Sequence, residues 1–527
     1  MELEPSSTWY QSIFQGFLSS NNNKYYLFSI FPINNIILLL LFLLPFIIVV
    51  IFMSYIQLKR KYFHCKCDIC QSYVSLRWCT KFSNLCDWYT HLLQNSPTKT
   101  IHIHVLDNII TSNPKNVEYI LKTNFNNYPK GKPFSTILGD LLGHGIFNVD
   151  GDAWRFQRKM ASLELDRTSV RSYSFQVVKE EIEKQLMPYL STKFEEKKQV
   201  DLQEMFRAFS FSTISKFSFG VEIHGFNASD PLNEFAVSFD LATKLSAERA
   251  LEVFSIIWRL KRLFGIGNEK KLSNAIKKIN AQAMEIIKIR RKNYSNYNNF
   301  HQKDLLSRFM GVVENNDGYL RDIIVSFVLA GRDSVASTLT SFFLLLATHP
   351  QVELNILLEI NRMLDEDHCV TSYEQIRGFH YLHAALFECM RIYPPVQFDS
   401  KFAQNDDILP DMVKVEKGKR VTYHPYAMGR MEEIWGKDCL EFKPERWLKN
   451  GIFYEENPYK YPVFQAGVRV CLGKEMAIME IKSVIISIIR EFKVELANNS
   501  SQVPHFSPGL TATFKGGLHV LLHRREK

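Results

Sequence analysis

FQAGVRVCLG, residues 464–473, holds one cysteine between two glycines, with an arginine two places before it. The next residues, KEMAIMEIKSVIISIIREF, carry an amphipathic helical pattern. Cys471 is therefore expected just before a helix N-terminus, where the dipole and free N–H groups favour a thiolate. Gly467 and Gly473 remove side chains where a flat ligand or a tight turn needs room. Arg469 offers a cation for a carboxylate of such a ligand, and Phe464 can shield the sulfur from water. A buried structural cysteine is the commoner fate of a single Cys. The combination of residues, rather than the cysteine, argues for a ligand.

The chain has 527 residues, 46% of them hydrophobic, which is enough for a large buried core. Its formal charge of +9 is modest and no long Lys/Arg run is present, so a nucleic-acid arm is not expected. The excess fits a face that attracts acidic membranes or an acidic partner. Nine cysteines are too sparse for a disulfide scaffold. Cys65, Cys67 and Cys70 are soft metal ligands, but no second pair follows at the usual zinc spacing. They read as reduced structural or surface thiols.

Residues 36–53, IILLLLFLLPFIIVVIFM, are apolar throughout, just long enough to cross a bilayer as a helix. Lys59, Arg60 and Lys61 follow, while Glu2, Glu4 and Lys24 precede. The positive-inside rule then predicts a luminal N-terminus, a single span over about 36–56 within residues 1–60, and a cytosolic domain over 61–527. Pro45 is a tolerable kink in such a span.

Beyond the span the text is mainly α with small β-sheets, an α+β reading. TIHIHV (100–105) alternates like a half-buried strand, and NIITSN reads as its return. Pro114 suits the first turn of a helix. From about 150 to 400 helices dominate, and strands return at GKRVTYH (418–424) and GGLHVLLH (516–523). RRKNYSNYNNFHQK (290–303) reads as an exposed loop. Leu320 to Thr348 is helix-compatible and apolar all round, about 43 Å of buried helix. Its one interruption is Ala330-Gly331-Arg332-Asp333-Ser334, a weak spot of the kind found where something comes close or is hydrogen-bonded.

Phe464, Gly467, Arg469, Cys471 and Gly473 together resemble the haem-binding loop of the cytochromes P-450. Trp154 with Arg158 in DAWRFQRKMAS, Glu388 with Arg391 in ECMRIYPP, and Arg446 in FKPERW resemble the same family, in the expected order. AGRDS corresponds to the family's oxygen-activating groove. The resemblance covers about residues 60–525. It implies haem b on Cys471, with O2 as co-substrate and NADPH acting through a membrane-bound cytochrome P-450 reductase. Cytochrome b5 would be an optional second donor. Electron donors would dock on the basic face behind Cys471. The implied location is the endoplasmic reticulum membrane. Trp154, Arg158 and Arg469 would reach the haem propionates. Glu388, Arg391 and Arg446 would form a buried ionic cluster supporting the loop. Asp333 and Ser334 would relay protons, with Ser334 standing where the family usually has threonine.

LLGHGIFNVDGDAWRFQRKMASLEL, YPPVQFDSKFAQ, VTYHPYAMGRMEEIWGKDCLEFKPERW and YPVFQAGVRVCLGKEMA look like the plant fatty-acid omega-hydroxylases, family 94 above all. That group implies hydroxylation of medium- to long-chain fatty acids at or near the terminal methyl. Some relatives act on jasmonoyl-isoleucine. Phe134, Leu138, Phe327, Ala330, Val396, Phe398, Leu510 and Phe514 are the candidate lining of a narrow apolar channel. In LPDMVKVEKGKR (409–420) Met412 replaces the family's glycine-containing turn. A haem protein without turnover and a haem isomerase are the competing readings. The retained acid–hydroxyl pair and intact loop argue against the isomerase.

Overall fold

The structure, a computed structural model, describes residues 44–45, 48–50, 52–53, 65, 67–223, 233–253, 255–296, 304–313, 316–364, 370, 372–497 and 504–526. The chain divides into two units, Met1–His64 and Cys65–Lys527. In the first, the described residues between 44 and 53 are helical, and Leu44, Ile48, Val49, Phe52 and Met53 expose their side chains. The rest of the apolar run lies outside the described residues.

The second unit is mostly helical. Six helices position its centre: α1 (Gly131–Leu142), α2 (Gly151–Leu165), α3 (Leu202–Phe219), α4 (Asp317–Thr348), α5 (His380–Ile392) and α6 (Lys474–Glu491). Four strands make the larger sheet: β1 (Thr100–Ile103), β2 (Asn108–Thr111), β3 (Asp399–Phe402) and β4 (Arg420–Tyr423). Their order is β1-β2-β4-β3. β1 and β2 pair antiparallel, with Ile101 opposite Ile110, as their alternation predicts. β2 and β4 pair parallel, with Ile109 beside Val421, across more than 300 residues of intervening chain. The C-terminal strand His519–Arg524 pairs with Phe492–Leu496, the segment directly after α6.

α4 runs through the core. Ile324, Val325, Val328, Leu339 and Phe342 on its several faces are all sealed from solvent, which is why the sequence shows no polar stripe. Asn316 caps it by accepting the Tyr319 N–H at 2.9 Å. Leu339 and Phe342 pack in one cluster with Leu386 of α5 and Val484 and Ile485 of α6. Emptying the Phe342 site by alanine would cost about 3–5 kcal/mol.

The expected interruption is a π-helical turn over Leu329–Asp333. Gly331 lets α3 pack closely there: a Cβ would stand 2.4 Å from Cδ1 of Ile214 on α3, and that side chain would have to shift. The polar stretch at 290–303 is only partly as expected. A helix, Gly267–Asn296, continues into it, and residues 297–303 lie outside the described residues. Asn-rich composition lowers helix propensity by only tenths of a kcal/mol per residue, which the preceding helix overcomes.

Candidate active site around Cys471

The loop before α6 is built by backbone constraints. The Cys471 N–H donates to the Phe464 carbonyl at 2.8 Å, closing the loop on itself. Gly467 has φ +63, and a Cβ there would sit 2.2 Å from the Leu121 carbonyl oxygen, so only glycine lets the loop lie on that segment. Gln465 also has positive φ (+62) and accepts a hydrogen bond from the Tyr423 hydroxyl. Gly473 meets nothing within 4 Å where its Cβ would point. The glycine there keeps open a space that no protein atom claims.

Cys471 is enclosed by protein yet keeps open side-chain surface. It therefore faces interior space. Ala330 does the same in the middle of the buried α4. Burial pushes the Cys471 thiol up, against the N–H groups of Gly473 and Lys474 and the charge of Arg158, which favour the thiolate. The N–H groups at the helix start therefore act in the expected direction, and burial outweighs them in the protein alone. A cation bound at the sulfur would ionise it, since a coordinating thiol is deprotonated outright.

The cations divide into partnered and unpartnered. Arg158 on α2 has no hydrogen-bond or ion-pair partner among the described residues; its guanidinium lies 5.9 Å from the Trp154 ring. Burial lowers its pKa, and the Cys471 charge opposes that. Arg469 lies 4.4 Å over the Trp154 ring and donates from Nη2 to Asp150 at 2.6 Å, while its Nε is buried with no partner. An orphaned guanidinium Nε and an unpaired arginine beside a thiol suit an acidic, iron-bearing ligand. Trp154 is buried against both Arg469 and Phe125. The donor set and the cradle at Gly473 thus fit a haem.

Phe464 packs on Phe387 of α5 with ring centroids 5.9 Å apart. Tyr461 donates to the Phe387 carbonyl at 3.0 Å. α5 is fixed in turn by the Glu388–Arg391 pair, fully buried, with Nε and Nη2 of Arg391 donating to the carboxylate at 2.7 and 2.8 Å. The remaining Arg391 donors reach the carbonyls of Gly429, Cys439 (2.6 Å) and Glu441 (2.9 Å). Glu388 also accepts from Trp447 Nε1 at 2.9 Å, the Lys443 N–H at 3.1 Å and Arg446 Nε at 3.3 Å. The structure therefore brings Glu388, Arg391 and Arg446 together and links them to the cysteine loop through Phe387.

On α4, the Ser334 hydroxyl donates to the Ala330 carbonyl at 2.5 Å, inside the π turn. Asp333 accepts from Arg332 at 2.9 Å, and Arg332 also holds Asp240 with both Nη groups. Burial pushes the Asp333 carboxyl up to about 6, against the pull of Arg332. Burial also raises Asp240, but Arg332 wins there and holds it low. One arginine thus serves two acids, and Asp333 is the one that exchanges a proton near neutrality.

The apolar candidates separate into two groups. Phe134, Phe327, Val396, Phe398 and Leu510 keep partial surface, and Ala330 is open. The Ala512 N–H donates to the Pro395 carbonyl at 2.8 Å, which sets the C-terminal loop beside the Val396–Phe398 segment. Leu138 and Phe514 are packed in the core clusters. Phe514 is taken up by Phe506 and by a backbone bond to Gln203.

One network escaped sequence reasoning. Lys130 and Lys401 clamp the buried Asp399 at 2.6 and 2.7 Å, and Tyr423 donates to the same carboxylate. Tyr423 also bonds Gln465 of the cysteine loop. Its members come from four separate segments, and no local spacing could have revealed them.

A family model described as Cytochrome P450 matches residues 82–519. Cytochrome P450 94C1 of Arabidopsis thaliana is 54% identical over 486 residues, covering 91% of this chain and 97% of that relative. Cytochrome P450 94B1 of the same plant is 44% identical, covering 84% and 88%. Cytochrome P450 94A1 of Vicia sativa is 38% identical, covering 86% and 89%. With its thiol, unpaired Arg158 and interrupted central helix in the arrangement just described, the chain belongs to the cytochrome P450 family, in its plant family 94.

Proposed function

We propose that this P450 monooxygenase hydroxylates medium- to long-chain fatty acids at or near the terminal methyl, using electrons from an NADPH-dependent reductase. The observation that carries the reading is Cys471, enclosed by protein yet open toward interior space. We read that surface and the open surface of Ala330 as opposite walls of one haem slot. Haem b held there by Cys471 supplies oxygen activation, because thiolate ligation favours O–O cleavage.

The remaining roles belong to the chain. Arg158 and the free Nε of Arg469 neutralise the acidic edge of the cofactor, which would be costly to bury unpaired. The Phe464 carbonyl holds the Cys471 backbone, and the Gly473 and Lys474 N–H groups point at the sulfur. Asp333, with its raised pKa, holds a proton one residue from the Ser334 hydroxyl, and the pair relays it toward the oxygen side. A terminal methyl has the strongest C–H bond of an alkyl chain, so attack there rests on positioning. Phe134, Phe327, Val396, Phe398 and Leu510 supply the apolar surface for that. The anchor over residues 36–56 would hold the enzyme on the endoplasmic reticulum with its domain in the cytosol. The reductase would dock behind Cys471, where the exposed Val468 borders one surface cavity with Lys122 and Arg155. That docking weakens with salt.

The test is side-by-side turnover of lauric acid, oleic acid and jasmonoyl-isoleucine by the full chain with reductase and NADPH, with products located by mass spectrometry. Terminal or near-terminal hydroxy acids are expected. Faster turnover of jasmonoyl-isoleucine would move the substrate to that conjugate. A normal thiolate-type carbon-monoxide spectrum with no NADPH consumed on any lipid would leave a haem protein without turnover. Cys471→Ser should lose that spectrum and all oxidation.

A further inference from the structure

Three cysteines and a histidine meet at the start of the catalytic unit, remote in sequence from every residue assigned above. Cys65, Cys67 and Cys70 enter from the first turns of that unit, and His104 from the turn that follows β1. Their ligand atoms all lie within 4.8 Å of one another. Cys65 Sγ is 3.1 Å from Cys67 Sγ and 3.2 Å from His104 Nδ1, and Cys70 Sγ is 3.9 Å from the same nitrogen. Ligand bonds of about 2.0–2.3 Å in a tetrahedron put neighbouring ligand atoms roughly 3.5–3.8 Å apart. The cluster already has nearly that spacing.

We propose that Cys65, Cys67, Cys70 and His104 bind a structural zinc ion. The local backbone is arranged for thiolates. The N–H groups of Ile69 and Cys70 point at the Cys67 sulfur, and that of Val105 at the Cys70 sulfur. Such N–H···S bonds stabilise metal-bound sulfur and orient it. Cys70 is sealed from solvent, Cys65 and Cys67 are half-buried, and the exposed His104 closes the group from outside. His102 lies against the His104 ring, with centroids 3.9 Å apart, and limits its rotation. Three sulfurs and one imidazole form a closed four-ligand set with soft donors, the preference of zinc rather than magnesium or calcium. Sequence spacing alone missed it because the fourth ligand lies 34 residues beyond Cys70.

Binding releases the three thiol protons to solvent and involves no electron transfer. Its consequence is mechanical. The ion ties the first residues of the catalytic unit to the β1–β2 sheet, closing a loop of more than 30 residues, just after Lys59-Arg60-Lys61 in the sequence. The alternative use of two of these sulfurs, a Cys65–Cys67 disulfide, spans only one intervening residue and is geometrically strained.

The test uses the full-length holoprotein, purified under reducing conditions without a polyhistidine tag. Elemental analysis should find about one zinc for each haem iron. Zinc K-edge absorption should show sulfur at about 2.3 Å and nitrogen at about 2.0 Å in a ratio of roughly three to one. Cys67→Ser with Cys70→Ser should drop the zinc-to-iron ratio to near zero while the carbon-monoxide spectrum is retained. If that variant does not fold, chelation of the wild-type protein decides: zinc removal should lower its Tm, and one equivalent of zinc chloride should restore it. A wild-type protein that stays zinc-free after incubation with zinc chloride overturns the proposal. So does zinc retained by the double variant, or a Cys65–Cys67 disulfide in protein kept reduced.

Discussion

The Arg469 guanidinium donates to Asp150 at 2.6 Å, and the same carboxylate accepts the backbone N–H groups of Lys130 and Gly131 at 3.0 and 2.8 Å. One acid thus joins the cysteine loop to the start of α1 from its own place at the head of α2. Asp150→Ala should free all three donors. A lost charge-assisted hydrogen bond costs about 1.5–3 kcal/mol, and Arg469 would then lose its set position under Trp154. The expected result is folded protein with a lowered haem-to-protein ratio, measured by pyridine haemochrome and total protein. Undiminished haem content would show that Trp154 stacking alone positions Arg469.

All the Arg391 nitrogens are engaged, and Glu388 is fully buried with five donors around it. Breaking such a pair strands a charge and costs about 3–5 kcal/mol. Arg391→Ala should therefore give haem-poor or unfolded protein rather than a well-folded inactive enzyme. Arg391→Lys should fail nearly as badly, because one ammonium cannot reach two carboxylate oxygens and three carbonyls. Normal haem content in either variant would remove the cluster from its supporting role.

What the sequence revealed follows from distance along the chain. Glu388 and Arg391 are one helical turn apart, so their pairing is local and readable. The break in α4 was readable because glycine and small polar residues interrupt an apolar run. Arg332 was passed over, since its partner Asp240 is 92 residues away. The bond from Lys130 to Asp399 spans 269 residues, and the link from Asp150 to Arg469 spans 319. Such contacts are set by the fold, and single-sequence periodicity carries no trace of them. The burial that opposes a Cys471 thiolate was not readable for a related reason: its cost depends on surroundings that the neighbouring residues do not specify.

Met412 has φ +69 and is 77% exposed, so a flexible side chain sits where glycine would be unstrained. Its turn is closed by the Met412 N–H to Leu409 at 2.8 Å and the Leu409 N–H to Val413 at 2.9 Å. The left-handed conformation costs an L-residue about 1–2 kcal/mol, and glycine gives back about 0.5–1 kcal/mol through the unfolded chain. Met412→Gly should therefore stabilise the protein by about 0.5–1 kcal/mol in denaturant titration, with haem binding unchanged. A destabilised variant would mean that the methionine packs usefully in spite of its exposure.

Ser334 keeps its hydroxyl by bonding Ala330, next to an acid poised near pH 6. Ser334→Ala removes the hydroxyl, whereas Ser334→Thr keeps it and adds a methyl that restricts the rotamer. The alanine variant should release several-fold more hydrogen peroxide per NADPH consumed than the threonine variant. Threonine should match or improve on wild type. Equal leakage in the two variants would take Ser334 out of the proton path.

Glu480 lies on α6, with Oε1 enclosed and without a hydrogen-bond partner, and burial alone pushes its carboxyl up to about 8. A carboxyl raised in the folded state binds a proton there that the unfolded chain has already lost. Its contribution to stability is therefore fully present below the ordinary Glu pKa of about 4.3 and is lost as pH rises through about 8. Glu480→Gln replaces it with a neutral group of the same shape. The variant should gain over wild type by up to about 5 kcal/mol at pH 8, and by about 1 kcal/mol at pH 5. Guanidinium unfolding of both proteins at the two pH values measures this. A gap that does not widen with pH would mean that Glu480 is charged throughout and has a cation or water beside it.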